Sequence, residues 1–306
     1  MKNIENPWIK LKENINKEDY KLISKLQQEC IDKVALKLEL DYKLASSNEG
    51  TKITNKINEF MYFDGEKLIG YIGIGSFGGF DRPIEVNGMV HPDYRKQGIF
   101  KKLSELVIDE WKRRNSSSML LLSDRTSKEG QEFIKNLGAI YNHTEYEMYF
   151  RQDKKEIDPS RTSKGACNLT FRKAKNEEAH EIAKQNAVYF GEEVPDENDK
   201  EKMILPEEEE KKGIRIYFGE KDGEVIGKVH LELTDRGGIY GLGVLPENRR
   251  KGYAREMLNF AVNTLIEDGV KEVMLQVDSE NPNALNLYKS CGFVETSVMD
   301  YYEMKL

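Results

Sequence analysis

Shifted by 154 places, this sequence lies over itself. Val90 falls on Val244, Pro92 on Pro246, Arg95 on Arg249 and Gly98 on Gly252. The same shift carries Leu121 onto Leu275, Asp124 onto Asp278, Lys135 onto Lys289 and Gly138 onto Gly292. One offset holds without a gap from about residue 88 to 139, and DGEKLIG at 64–70 matches DGEVIG at 222–227 after a one-residue slip. Solenoid units repeat every ~20–50 residues, so so long a period marks a duplicated domain. Two domains also suit a chain of 306 residues. The segment RQDKKEIDPSRTSKGA, 151–166, is charged and almost without large apolar residues, which suits an exposed linker. The expected division is a domain over 1–155, a linker over 156–166 and a second domain over 167–306.

Composition excludes several classes of protein. At 38% hydrophobic and 33% charged residues, the chain suits a soluble globular protein. No apolar run approaches the ~18 residues of a membrane span, and MKNIENPWIK has no apolar signal region, so a cytoplasmic protein without a membrane partner is expected. Cys30, Cys167 and Cys291 are odd in number and form no CxxC, as in a reducing compartment. His91, His143, His180 and His230 neither pair at ligand spacing nor join the cysteines, so no metal is expected. A net charge of -7 argues against nucleic acid as a partner.

Periodicity gives the elements of the second copy. Asn168–Arg172 alternates like a strand, and Asn176–Tyr189 has helical spacing. RIYFGEKDGEVIGKVHLEL reads as a hairpin, followed by a strand at Ile239–Leu245. Tyr253–Glu267 carries an apolar stripe of Ala254, Met257, Leu258, Ala261 and Leu265. A strand at Val273–Val277, a short helix at Asn283–Ser290 and a closing strand at Val298–Met304 complete an α/β mixed sheet with helices on its faces. The first copy repeats this from about Phe60, whereas the first fifty residues read as largely helical.

Between a strand and the helix at Tyr253 stands PENRRKGYAR, with Arg249, Arg250, Lys251 and Arg255 around Gly252. Cations at a helix N-terminus oppose the macrodipole. The bland explanation, a basic solvated surface, leaves that conflict standing. A bound anion removes it, because helix N-termini present unpaired N–H groups that suit a pyrophosphate. The spacing is neither GxxxxGK[ST] nor GxGxxG, so neither an NTPase nor a dinucleotide-binding dehydrogenase is indicated.

Val244-x-Pro246-x-x-Arg249-x-x-Gly252-x-Ala254 resembles the acetyl-CoA signature of the GNAT superfamily of N-acetyltransferases. Asn281 to Phe293, NPNALNLYKSCGF, resembles that family's N-x-x-A-x-x-L-Y-x-x-x-G-F. The likeness covers 168–306 and, more weakly, about 60–150. The two-domain plan is similar to that of mycothiol synthases and other tandem members. The resemblance implies two tandem GNAT-like domains, each a mixed, mostly antiparallel sheet with helices on both faces and a splayed central strand pair. It implies acetyl-CoA as cosubstrate, gripped by backbone N–H groups from Arg250 through Lys251, Gly252, Tyr253 and Ala254 to Arg255, with Arg249 also at the cofactor. Pantetheine would lie along Leu242, Gly243 and Val244, with Asn281 and Tyr288 at the cofactor arm. Tyr288 would protonate the departing thiolate.

The general base is less legible. In the related ribosomal-protein alanine acetyltransferases a glutamate stands twelve residues before the tyrosine, where this chain has Gln276. Glu232 and His230 are the candidates. In the first copy Phe100, Ser127 and Ile134 stand at the positions of Ala254, Asn281 and Tyr288, so that half is expected to be degenerate and mainly structural. The acceptor is expected to be a primary amine. EEVPDENDKEKMILPEEEE, 192–210, has ten acidic residues against two lysines, which would draw a cationic small molecule or peptide if it lines the acceptor cleft. A solvated charge run is the plain alternative. A monomer or homodimer acting on acetyl-CoA and an amine is expected, with a non-catalytic acyl-CoA sensor or scaffold as the alternative.

Overall fold

The computed structural model describes residues 2–31, 36, 38–47, 55–75, 83–114, 116–151, 168–199, 202–233 and 236–305. The linker expected at 156–166, and Cys167, lie outside the described residues. By internal contacts the chain divides into two compact units, Met1–Glu145 with Ser297–Leu306, and Tyr146–Thr296.

Unit 1 runs β1 (Pro7–Lys12), α1 (Lys17–Ile31), α2 (Leu40–Ser47), β2 (Glu59–Asp64), β3 (Lys67–Gly75), β4 (Ile84–Val90), α3 (Ile99–Arg114), β5 (Ser118–Asp124), α4 (Lys128–Asn136) and the start of β6 (Ile140–Phe150). Strands β1 to β4 pair antiparallel in chain order, while β4 and β5 run parallel and, among the described residues, pair over Ile84–Val86. Residues 299–305 then pair antiparallel with β5, from Met299↔Asp124 to Lys305↔Ser118. The chain's last residues thus complete the sheet of unit 1. Leu103, Val107 and Trp111 of α3 fill one face, and Ile23 and Leu26 of α1 the other. The front end is not all helix, because PWIKLK forms the edge strand β1. Its starting proline suits an edge, where no ladder N–H is needed, and blurred the alternation in sequence.

Unit 2 takes the end of β6 and continues through β7 (Thr170–Lys173), α5 (Ala179–Phe190), α6 (Pro206–Lys211), β8 (Ile214–Lys221), β9 (Glu224–Leu233), β10 (Arg236–Val244), α7 (Tyr253–Glu267), β11 (Glu272–Asp278), α8 (Pro282–Ser290) and the start of β12 (Phe293–Lys305). β7 to β10 are antiparallel neighbours in chain order, and β10 pairs parallel with β11. Met257, Leu258, Ala261, Val262 and Leu265 of α7 are buried against Val229, Leu231, Ile239 and Leu275 of the sheet. Burying each large side chain of that stripe contributes about 1.5–3 kcal/mol. Cutting Leu258 to Ala would cost about 2–5 kcal/mol. On the other face Ile182 of α5 packs with Ile216 and Phe218.

Candidate functional site

The residues of unit 2 expected to meet a cosubstrate lie where β10 leaves its neighbours. Tyr240 pairs with His230 and Gly243 with Lys228, so β10 advances three residues while β9 advances two. The extra residue is a β-bulge at Gly241–Leu242, and Gly241 adopts φ +57°, a left-handed conformation that disfavours a side chain. On its other side, among the described residues, β10 pairs with β11 from Arg236↔Glu272 to Ile239↔Leu275. The parallel ladder stops there, and Leu242, Gly243 and Val244 lie past its end. A Cβ on Gly243 would stand 2.2 Å from the Tyr189 ring, so α5 packs against that backbone closely enough to require glycine.

After Val244 the chain makes a short 3-10 turn, Pro246–Asn248, and enters α7 through Gly252, which caps the helix at φ +89°. Gly252 has no side chain to cap the first N–H groups, so they point out of the helix end. Arg250 takes φ +64°, as Lys96 takes φ +61° in the matching turn of unit 1. A non-glycine residue there costs roughly 1–2 kcal/mol, and the turn imposes it twice. Arg249 Nε donates to the Val244 carbonyl at 2.9 Å, and Arg95 Nε to the Val90 carbonyl at 3.1 Å. This arginine therefore ties the turn to the strand end. Arg255 reaches Ser290 Oγ at 2.8 Å and Cys291 Sγ at 3.2 Å, joining the start of α7 to the end of α8. Arg250 lies 3.4 Å from Asn283 Oδ1, and Lys251 donates to Asn248 Oδ1 at 3.2 Å. These partners of Arg249, Arg250 and Arg255 are uncharged, so these hydrogen bonds leave the three arginine charges in place. The backbone, more than the arginine heads, is shaped to meet an anion.

Asn281 caps α8 by accepting from the Ala284 N–H at 3.1 Å. That cap aims Tyr288, on the second turn, whose ring lies 6.1 Å from that of Phe293. Tyr288 is half-buried, and among the described residues its hydroxyl has no hydrogen-bond partner. Burial, with a smaller push from Cys291, raises the phenol to about 12, so it holds its proton at neutral pH. The open N–H groups of the turn, the unladdered backbone past the bulge and the protonated phenol of Tyr288 are groups that could receive a thioester carrying a pyrophosphate.

On the α5 side of the sheet, β9 presents Lys228, His230 and Glu232, alternating with the core residues Val229 and Leu231. Glu232 is buried opposite Gly238, where β10 is still laddered to β11. His230 is opposite Tyr240, at the bulge. Lys228 was not singled out from sequence. It is fully buried, 3.2 Å from His230 Nε2, and donates to the Gly241 carbonyl at 3.3 Å. Its ammonium lies over the rings of Tyr189 at 5.5 Å and Phe190 at 5.8 Å. Burial lowers its pKa to about 7, with Glu192 favouring the charged form. Burial and the Lys228 charge hold His230 well below its ordinary value. The available signal was parity, because in EVIGKVHLEL the lysine and histidine fall on one face.

The acidic stretch is partly neutralised within unit 2. Glu197 faces His180, Glu208 pairs with Lys211, Glu209 with Lys212, and Glu210 with Lys173 and Arg215. Among the described residues no group of three or more His, Cys, Asp or Glu side chains is placed to hold a metal, and no helix is long and apolar enough to cross a membrane.

The family model described as Acetyltransferase (GNAT) family matches residues 22–139 and 178–293, well over half the chain. The chain belongs to the GNAT family of acetyltransferases. A mycothiol acetyltransferase of Rhodococcus erythropolis is 23% identical over 83% of this chain and 88% of its own length. One from Kocuria rhizophila is 37% identical over 27% of this chain and 30% of that protein. A ribosomal protein bS18-alanine N-acetyltransferase of Haemophilus ducreyi is 29% identical over 30% of this chain and 65% of its own length. The more identical matches thus span less than a third of the mycothiol acetyltransferases concerned. Among solved structures, a GCN5-related N-acetyltransferase from Sphaerobacter thermophilus superposes with TM-score 0.70 at 16% identity, covering 98% of this chain and 95% of that one. A tandem GNAT protein from the clavulanic acid biosynthesis pathway gives 0.69 at 12% identity, covering 98% of both. Both chains share the fold.

Proposed function

We propose that unit 2 transfers an acetyl group from acetyl-CoA to a primary amine by direct attack, and that unit 1 does not. The observation that carries this is the bulge at Gly241–Leu242, placed past the end of the β10–β11 ladder and just before the Gly252 turn. Acetyl-CoA supplies the acyl group as a thioester. The first N–H groups of α7 bind its pyrophosphate, helped by the Arg250 and Lys251 charges. Leu242, Gly243 and Val244 hold the pantetheine arm by their backbone, and a main-chain N–H near Val244 polarises the thioester carbonyl. Arg249, Arg255 and Asn281 act by fixing the turn, the start of α7 and the start of α8. Tyr288 gives its proton to the departing sulfur, as its free, protonated hydroxyl allows. The proton of the acceptor amine goes to the β9 face that carries His230 and Glu232.

The acceptor is a cationic small molecule or peptide amine. Glu192, Glu193 and Asp196 at the end of α5 supply a negative edge toward which such an amine drifts. CoA release from acetyl-CoA tests this over a polyamine, an aminoglycoside, a basic peptide and the amine that mycothiol acetyltransferases acetylate. Turnover with at least one amine, lost in Tyr288→Phe, is expected. Binding without turnover would instead make unit 2 an acyl-CoA sensor. No binding would refute a cofactor site altogether.

A further inference from the structure

Lys228 is the least expected side chain in unit 2. A lysine seldom lies fully buried without a carboxylate, and among the described residues its ammonium has none within ion-pair distance. Its surroundings are a bulge carbonyl, an imidazole and two aromatic rings. A lysine kept only to pin Gly241 would be a costly choice, because a neutral donor makes the same bond without burying charge.

We propose that His230 and Lys228 form a two-residue proton relay beside the bulge, taking the proton that the acceptor amine loses during acetyl transfer. This rests on the acetyl-transfer reading of unit 2. His230 Nε2 faces Lys228, and Nδ1 has no partner among the described residues. With Lys228 as a neutral amine, its lone pair accepts the Nε2–H, which leaves the Nδ1 lone pair open. The amine's proton goes to Nδ1 as the new N–C bond forms. The Nε2 proton passes to Lys228, whose ammonium is then held by the Gly241 carbonyl and the faces of Tyr189 and Phe190. The thiolate takes its own proton from Tyr288, so no co-reactant is needed. Lys228 acts through His230 and is a positioning residue, whereas the imidazole meets the substrate.

The other groups facing the pair leave this assignment intact. From β9 comes Glu232, two residues on and opposite Gly238. From β8 come Ile216 and Phe218, opposite His230 and Lys228 and without charge. From β10 come Tyr240 and Gly241. From α5 comes Tyr189, whose hydroxyl donates to Gln185 Oε1 at 3.0 Å and whose proton burial retains. Gln185 in turn donates to Glu181 at 2.9 Å, and Glu192 acts on Lys228 from beyond the helix. Asn186 is buried in the same helix, and its Oδ1 has no partner among the described residues. In unit 1 the equivalent of Lys228 is Tyr71 and that of His230 is Gly73, so no relay exists there.

The test uses the full chain, acetyl-CoA and the best amine of the panel above. Wild type should show kcat/KM rising with pH through an inflection near 7. Lys228→Arg, whose guanidinium stays charged, should lose at least about tenfold in kcat and the inflection, with acetyl-CoA affinity unchanged. His230→Gln should lose a similar factor. Lys228→Met removes the second acceptor, so the inflection should move below that of wild type. NMR of lysines labelled at Cε should show one resonance titrating near neutrality and absent from Lys228→Met. If wild type turns over no amine, acetyl transfer itself is refuted. If wild type turns over but Lys228→Arg keeps its rate and pH profile, the relay is refuted and acetyl transfer stands. If every lysine titrates at its ordinary value, the relay is likewise refuted.

Discussion

The two units keep the same turn and differ in the strand before it. In unit 1, His91, Pro92–Tyr94, Arg95, Lys96 and Gly98 reproduce the conformation of the second turn, down to left-handed φ at Lys96 and Gly98. Yet β3 and β4 pair without a break from Gly70↔Val90 to Gly75↔Glu85, so no bulge forms. The groove between β4, β5 and the helices is lined by Val86, Phe100, Met119, Phe133 and Ile134. Phe100 meets Phe133 edge-on at 5.1 Å, where unit 2 has Ala254. Lys2 also lies against this turn, bonded by its N–H to the Asp93 carbonyl and by its carbonyl to Gln97. The face that holds Lys228 and His230 in unit 2 holds a closed cluster in unit 1. There Tyr71 donates to Glu59 at 2.5 Å, and Lys43 lies 3.0 Å from the same carboxylate. A basic glycine turn is therefore a structural unit by itself. It becomes a candidate site where a bulge and an open backbone edge adjoin it.

Breaking this contrast has its largest expected effect at Tyr288. Tyr288→Phe should lower kcat by about 100-fold or more with acetyl-CoA affinity retained, the range of a lost general acid. Ile134→Tyr in unit 1 should add no turnover. Steady-state kinetics beside calorimetric binding checks both.

Stability against pH comes next. Unfolded, a lysine keeps its proton to about pH 10.4, whereas folded Lys228 releases it near 7. Between those values the unfolded chain binds one proton more, so stability rises with pH across that window. Below pH 7 the buried charge costs its full amount. Lys228→Met should therefore exceed wild type by a few kcal/mol at pH 6, with the gap closing by pH 10. Urea unfolding at both pH values measures it, and an equal gap at both would break the contrast with Tyr71.

Gly252→Val should weaken acetyl-CoA at least about tenfold, since a β-branched residue at φ +89° strains the cradle by more than the ~1.4 kcal/mol that a tenfold loss represents. Gly98→Val should leave that affinity unchanged and lower only the melting temperature. Phe100→Ala sharpens the point. Calorimetric stoichiometry should stay at one cosubstrate per chain, because the unbroken β3–β4 ladder remains, and a second site would mean that Phe100 alone separates the halves. The smallest effect is at the caps. Asn281→Ala should cost about 1 kcal/mol, and Ser127→Ala only a few tenths, since Ser127 makes no side-chain cap bond.

Much of the fold was legible because each copy carries strong local signals. Helix α7 begins and ends where the stripe from Ala254 to Leu265 placed it. Edge strand β1 escaped because Pro7 and a short alternation resemble a loop. Lys228 escaped because a lysine in a strand ordinarily points to water, and nothing in EVIGKVHLEL says that α5 covers that face.

What the sequence by itself determined is the duplication, the GNAT membership of the chain and the position of both turns, since these depend on residues close together in the chain. Tertiary structure decided what lies opposite what. It set the extra residue on β10 across from β9 and sent residues 299–305 to pair with β5. It tied Arg249 to Val244 and left the Tyr288 hydroxyl without a hydrogen-bond partner among the described residues. It also buried Lys228 beside His230, where distance from water lowers its proton affinity. Burial is a property of packing, and packing brings together residues that the sequence keeps apart.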